Sequence, residues 1–378
     1  NNVAVGIGAI GVSTNVGYAV ACSSPTRAIW LGGSPDSDFA QSVTISSKGN
    51  AVEFGYREDQ HGAMSSGNSV RGVWSGGLNP GPANDAILYL NMASQGKTVQ
   101  FGNLTVATVY GDAVSSNTRH VRIGGYNPAS SPNATANSEE YNGTSWTEGN
   151  NLGTARWDIS GAGTQTAALV AGGGSPGSTA NCEEYNGTSW AEQNNLGTQG
   201  RARTSGTQTA GMVSGRKDVP GITVNCETYD GTTWSEIANL STARGAPQQV
   251  GDSSNALNAS GTQDGVGGVV NVGNVESWDG TSWTEVANVL DDSRSGQGSG
   301  TVTAMMLING SGAVANGTQI YNGTSWVSGV ATPYNSKGGG ANGASTAVLN
   351  AGGSGDVNGS MEFTGETTAL NLKTLTDS

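Results

Sequence analysis

The segment Tyr185-Asn186-Gly187-Thr188-Ser189-Trp190 decides the fold, because it recurs along the chain. Copies stand at Tyr141–Trp146, Tyr229–Trp234, Trp278–Trp283 and Tyr321–Trp326, two of them with Asp in place of Asn. Trp146, Trp190, Trp234, Trp283 and Trp326 therefore follow one another at intervals of 43 to 49 residues. Asn-Gly or Asp-Gly between two short β-prone runs is the strongest short-range hairpin signal. A type I′ turn, with positive φ at both central residues, is expected at Asn186-Gly187. Self-similarity at this period marks an array of small units that cannot bury their apolar faces alone.

Working outward, an apolar run ending in glycine precedes each hairpin. Its copies are Thr26–Gly33 (TRAIWLGG), Val70–Gly77, Thr118–Gly125 and Thr166–Gly173, then Thr209–Gly215, Ser254–Gly261, Thr303–Gly310 and Thr346–Gly353. A third element, rich in Gly, Ser and Ala, precedes that run, as in Ala155–Gln165 (ARWDISGAGTQ), Gly200–Gln208, Ala243–Gly251, Ser293–Val302 and His61–Ser69. Each unit thus reads as four strands: a (small residues), b (apolar, ending in glycine), c (before the turn) and d (carrying the Trp). Radial repetition of four-stranded sheets gives a β-propeller, with strand a crowded at the axis. Strand b is covered on both faces, and the hairpin Trp is expected to pack against the next blade. Eight copies of strand b predict eight blades, at approximately 1–56, 57–104, 105–152, 153–197, 198–241, 242–290, 291–333 and 334–378, in one domain spanning 1–378. Seven is the alternative, if the first unit or the weak copy at Ser254–Gly261 is not a blade. Glu362 onward can supply strands c and d of the last blade, and Val3–Val12 can add or replace an outer strand there.

Composition agrees. Of 378 residues, 61 are Gly and only 10 Pro, without a Gly-X-Y period, which excludes collagen. Net charge is -13, with 16 Lys and Arg spread thinly, so a phosphate-backbone groove is not expected. No apolar run is long enough for a membrane helix. Asn1–Val12 lacks a basic leader and reads as a strand. Cys182 and Cys226 occupy the same place in successive units, too far apart for a bridge, and are expected to be buried thiols; Cys22 is the third.

Arg at the start of strand a, Gly-Gly ending strand b, then Tyr and Trp about five residues apart resemble the Kelch repeat. Arg156, Gly172, Gly173, Tyr185, Asn186, Gly187 and Trp190 mark one full cycle, strongest over Thr118–Val330. The first two units depart from it, with Phe54 and Phe101 where Trp is expected. Both variants together are similar to Kelch-like arrays in structural proteins of marine cyanobacterial phages and related tailed phages. The resemblance implies an all-β propeller of four-stranded Kelch-like blades and a virion component of the tail, its fibres or a surface decoration. Its partners would be other virion proteins or a host-surface receptor or glycan, within a larger assembly. Fold alone does not specify function. The alternative is a secreted or cell-surface carbohydrate-binding, lectin-like propeller.

Catalytic residues, metal ligands and cofactors are expected to be absent. His61 and His120 are the only histidines, and neither has a relay partner at a recognisable spacing. Glu139-Glu140 and Glu183-Glu184 recur with the repeat and point to opposite faces of strand c, which suits a structural role. An enzyme reading would rest on Glu140, Glu184 or Asp292. Asp291-Asp292 reads as a solvated turn, and Gly172–Gly174 and Gly338–Gly340 as turn glycines without a Walker lysine. Arg156, Arg201, Arg244 and Arg294 read as structural groups bonding carbonyls of the adjoining blade. The b–c loops vary at Ser34–Ala40, Leu78–Asn84, Tyr126–Asn137, Ser175–Asn181 and Arg216–Val224, over a uniform scaffold. That face is expected to meet the partner, with Tyr126, Arg216 and Lys217 as contacts.

Overall fold

The structure is a computed structural model that describes residues 3–9, 20–23, 27–31, 39–44, 52–56, 64–67, 71–77, 83–91, 340–344, 347–351 and 359–364. It also describes 99–328, apart from 116–118, 143, 176, 218–220, 246, 266–267, 295–296, 309–310 and 313–317. Among these residues every regular element is a strand, and no helix is long and apolar enough to cross a membrane.

Eight four-stranded antiparallel sheets are formed among the described residues, each in the order a-b-c-d. The first four consist of Val20–Ser23, Arg27–Leu31, Phe39–Thr44 and Val52–Tyr56; Met64–Gly67, Arg71–Ser75, Ala86–Asn91 and Val99–Asn103; Asp112–Ser115, His120–Tyr126, Ala134–Tyr141 and Trp146–Glu148; and Gly161–Thr164, Ala167–Ala171, Cys182–Tyr185 and Trp190–Gln193. The next three are Arg201–Thr207, Ala210–Lys217, Thr223–Tyr229 and Trp234–Glu236; Gln248–Gly251, Ala256–Ala259, Val275–Trp278 and Trp283–Glu285; and Gln297–Thr301, Ala304–Ile308, Thr318–Tyr321 and Trp326–Ser328. The eighth contains Gly340–Ala344, Ala347–Ala351 and Gly359–Thr364, and its outer strand is Val3–Ala9, paired antiparallel with Gly359–Thr364. The first unit and the copy at Ser254–Gly261 each supply a complete sheet. Strands a of successive sheets touch in chain order, and Gly340–Ala344 touches both Gln297–Thr301 and Val20–Ser23.

Small residues on strand a permit that approach, and polar groups stitch the neighbours together. The Gly161 amide donates to Asp112 Oδ2 at 2.6 Å, the Thr204 amide to Ser160 Oγ at 3.1 Å, and Gln249 Nε2 to Ser205 Oγ at 2.7 Å. Strand b is the buried one: Ala168, Leu169, Val170 and Ala171 are wholly buried. Cys182 and Cys226 are free, buried thiols, and burial pushes both up to about 12.

The hairpin differs from the expected type I′ turn. Tyr185 pairs directly with Trp190, so the loop has four residues. Gly187 carries the positive φ, 89°, and Asn186 does not. Instead Asn186 Oδ1 accepts hydrogen bonds from the amides of Thr188 and Ser189, each at 2.9 Å, which is the geometry of an Asx turn. Where Asp230 and Asp279 replace Asn, the amides of Thr233 and Ser282 lead the groups that hold the carboxylates down to about 2.

The tryptophans also face the other way from expectation. Each lies against the preceding sheet, not the next. Trp190 joins Val121, Ile123 and Leu152 of the third unit and donates from Nε1 to Ser138 Oγ at 3.0 Å. Trp146 lies against Val73 and Ile87, Trp234 against the fourth-unit residues Leu169 and Leu196, Trp283 against Met212, and Trp326 against Leu257 and Val275. Tyr and Trp of one hairpin stack, with ring centroids 5.0 Å apart for Tyr185 and Trp190. Their common surface falls on the side of strand b in the sheet before.

Gly172 and Gly173 take φ of 71° and 107°, and a Cβ on Gly172 would lie 2.4 Å from the Gly200 carbonyl oxygen. Gly172→Ala is expected to lower unfolding free energy by about 1–3 kcal/mol. Gly177→Ala, whose Cβ meets nothing within 4 Å, is expected to leave it near the wild-type value. Urea midpoints of the two variants check this.

Candidate functional site

The loop face is built from the ion pairs beneath it. Arg156, wholly buried, donates from Nη2 to Glu183 Oε1 at 2.7 Å and from Nη1 to the carbonyls of Gly172 and Asn181. Glu183 in turn accepts from the amides of Gly153 (2.6 Å) and Thr154 (3.3 Å), in the segment leading from the third sheet. One buried pair therefore clamps strands b and c of a sheet to the connection arriving from the sheet before. Arg244 and Glu276 repeat it at 2.7 Å, with Glu276 accepting from the Ser241 amide. Burial lowers the pKa of Arg156 and Arg244, and Glu183 and Glu276 oppose that shift. In the seventh unit Gln319 stands in this place and holds the backbone of Asp291.

Arg216, expected as an exposed contact, belongs to this system. It lies in Ala210–Lys217, is 1% exposed and pairs with Glu227, so a partner has no access to it. The reason is a one-residue displacement. After Asn-Leu-Gly-Thr, Arg156 stands second, whereas the fifth unit has Gly200 there and Arg201 third. A Cβ on Gly200 would sit 3.0 Å from Arg216 Cβ, so Arg216 crosses the space from strand b that an arginine at 200 would enter. In the third unit Arg122 lies opposite Glu139 in register, but its buried guanidinium nitrogens make no hydrogen bond among the described residues, and Glu139 accepts from the Thr105 amide and hydroxyl. The second glutamates make a different link: Glu140 accepts from the Tyr185 hydroxyl and from Gln165 Nε2. Burial raises the pKa of Glu140 and Glu184. His120 is wholly buried, and burial lowers it to about 4. Asp292 is exposed, while His61, Gly338 and Gly339 lie outside the described residues. Among the described residues no three His, Cys, Asp or Glu side chains gather as a metal site.

Above the clamps the chain alternates inward and outward. Arg156 points in, and its neighbour Trp157 reaches the surface. Trp157 exchanges backbone hydrogen bonds with Gly174, whose missing Cβ would lie 3.1 Å from the indole. Arg201, read from sequence as a structural arginine, instead holds its guanidinium 4.2 Å from the Trp157 ring centroid and meets Asp158 at 3.4 Å. Tyr126, an expected contact, is half-buried at the end of strand b, 5.4 Å from Trp157 between ring centroids. Tyr110 completes the group, 6.5 Å from both rings and 54% exposed. Lys217 ends its strand opposite Arg201. Arg294 lies in the short strand Ser293–Arg294, paired with Ser311–Gly312.

Tyr110 (φ 56°) holds left-handed backbone that bulky residues rarely take; Asp158 (φ 48°) has the same conformation, which Asp tolerates, and its amide donates to the Tyr110 carbonyl at 2.7 Å. Strain of this kind gathers where a surface is held in a set shape. Sequence reading missed Tyr110, Trp157 and Asp158. The available signal was two large aromatics where Ala202 and Gly245 stand in other units. No family model matches the chain, and no curated protein matches it.

Removing Arg216 (Arg216→Gly) strands the Glu227 carboxylate and is expected to cost about 3–5 kcal/mol. Adding Gly200→Arg supplies the guanidinium from the preceding connection and is expected to recover part of that loss, the remainder reflecting a side chain placed at φ 159°. A double-mutant cycle read by urea denaturation measures both.

Proposed function

We propose that the eight sheets close into one eight-bladed, Kelch-like propeller. We further propose that this propeller is a non-enzymatic structural part of a virion, in the tail, its fibres or a surface decoration. The cyclic order of contacts among strands a supports the ring. The repeat's resemblance to phage structural arrays supports the setting. The observation that carries the role is a contrast: Arg156, Arg216 and Arg244 are consumed in buried clamps, while beside them an aromatic group reaches the surface through Tyr110. In this reading that face meets another virion protein or a host-surface receptor, and the loops vary because the partner, not the scaffold, selects them. A secreted or cell-surface carbohydrate-binding propeller is the second reading, favoured by the same aromatic group.

End-on images of the purified chain are expected to average to eight radial lobes, and seven would overturn the blade count. Peptides of this chain are expected in gradient-purified virions by mass spectrometry. Their absence from particles of a phage that encodes and expresses it would sink the virion role.

A further inference from the structure

We propose that Tyr110, Tyr126, Trp157, Arg201 and Asp158 form a binding site for a neutral saccharide. The inference rests on the reading that the loop face engages a partner, and it names the chemistry of that partner.

Three rings from two successive connections and one strand end meet at centroid distances of 5.4 to 6.5 Å. They do not serve the same purpose. Trp157 is a wall: Gly174 lies against its ring and Arg201 stands over it. Tyr110 is the open platform, with half of its surface in solvent. Aromatic faces of this sort receive the C–H side of a sugar ring, while its hydroxyls need donors and acceptors at the edge. The guanidinium of Arg201 and the carboxylate of Asp158 provide both at 3.4 Å from each other, with 30% and 48% of their side chains exposed.

Electrostatics separates this ligand from its competitors. A cationic or quaternary ammonium ligand on Tyr110 would have to share the group with Arg201, which already stands over Trp157 and is paired with Asp158, the one carboxylate of the group. An anionic ligand would approach Asp158 and a chain of net charge -13. A purely apolar segment would bury the Arg201–Asp158 pair without satisfying it. A neutral polyhydroxylated ligand incurs none of these penalties. The left-handed backbone at Tyr110, tied to Asp158 by the 2.7 Å amide hydrogen bond, sets the direction of the platform before the ligand arrives, so less ordering is left for binding to accomplish.

The probe is a microarray of neutral glycans, followed by calorimetry with the best neutral oligosaccharide found. The wild-type chain is expected to bind at one site per chain. Tyr110→Asn keeps a residue that tolerates positive φ and removes the platform; it is expected to weaken binding about tenfold or more while melting at the wild-type temperature or above. Arg201→Gln is expected to weaken binding severalfold. Val99→Ser, at an exposed position on an outer strand, is expected to change nothing. Failure of the wild-type chain to bind any neutral glycan overturns the proposal, as does binding that both Tyr110→Asn and Arg201→Gln leave intact. Detection in virions together with a negative array would leave the structural role standing and remove the saccharide. Loss of virion incorporation in Tyr110→Asn, with no glycan bound by the wild type, would assign the aromatic group to a protein partner instead.

Discussion

A guanidinium buried beside a carboxylate is the contact on which the loop face depends. Arg156–Glu183, Arg216–Glu227 and Arg244–Glu276 occupy equivalent places in successive units. Taking two charges out of water is expensive, and such pairs add little net stability over an apolar filling. Their value here is geometric. Each carboxylate also accepts backbone amides of the connection from the preceding sheet, in the fourth unit from Gly153 and Thr154. Only one relative placement of the two sheets satisfies all of those groups together. Apolar packing between strands b and the tryptophans supplies the attraction, and the ion pairs choose the register.

The place of the charge is kept while its source changes. Arg156 and Arg244 come from the segment before strand a, and Arg216 from strand b. Gly200 and Arg216 stand to each other as Arg156 and Gly173 do, one member empty so that the other can fill the space. What recurs is an amount of charge at a point, reached by whichever backbone lies near enough.

This explains which parts of the molecule were legible beforehand. Strands b could be read because full burial forces a continuous apolar run, and strands a because close approach forces small residues. The aromatic hairpins could be located, but not the sheet against which they lie: a Trp declares that it will be covered, and nothing in its local sequence states by which neighbour. Arg216 was misplaced because the glycine-ended strand was taken to stop at Gly215, whereas it continues through Lys217. Arg201 reads as a structural group until the units are aligned on Asn-Leu-Gly-Thr, which places it one residue later than Arg156. Tyr126 stands out through loop variability and lies beside the other two rings. Tyr110 and Trp157, in segments that are otherwise repetitive, do not stand out.

Val3–Ala9 forms the outer strand of the sheet that ends with Gly359–Thr364. During synthesis it leaves the ribosome before every strand of the other sheets, and the edge it needs follows them. Until Gly359–Thr364 emerges this strand lacks its mate, and its open amides and carbonyls are available to any neighbouring nascent chain. Joining it closes a loop that contains all the other sheets, so this step comes late and slowly in maturation. Fast production or crowded polysomes would then favour exchange of this strand between chains, and the same seven residues that complete one molecule would tie two together.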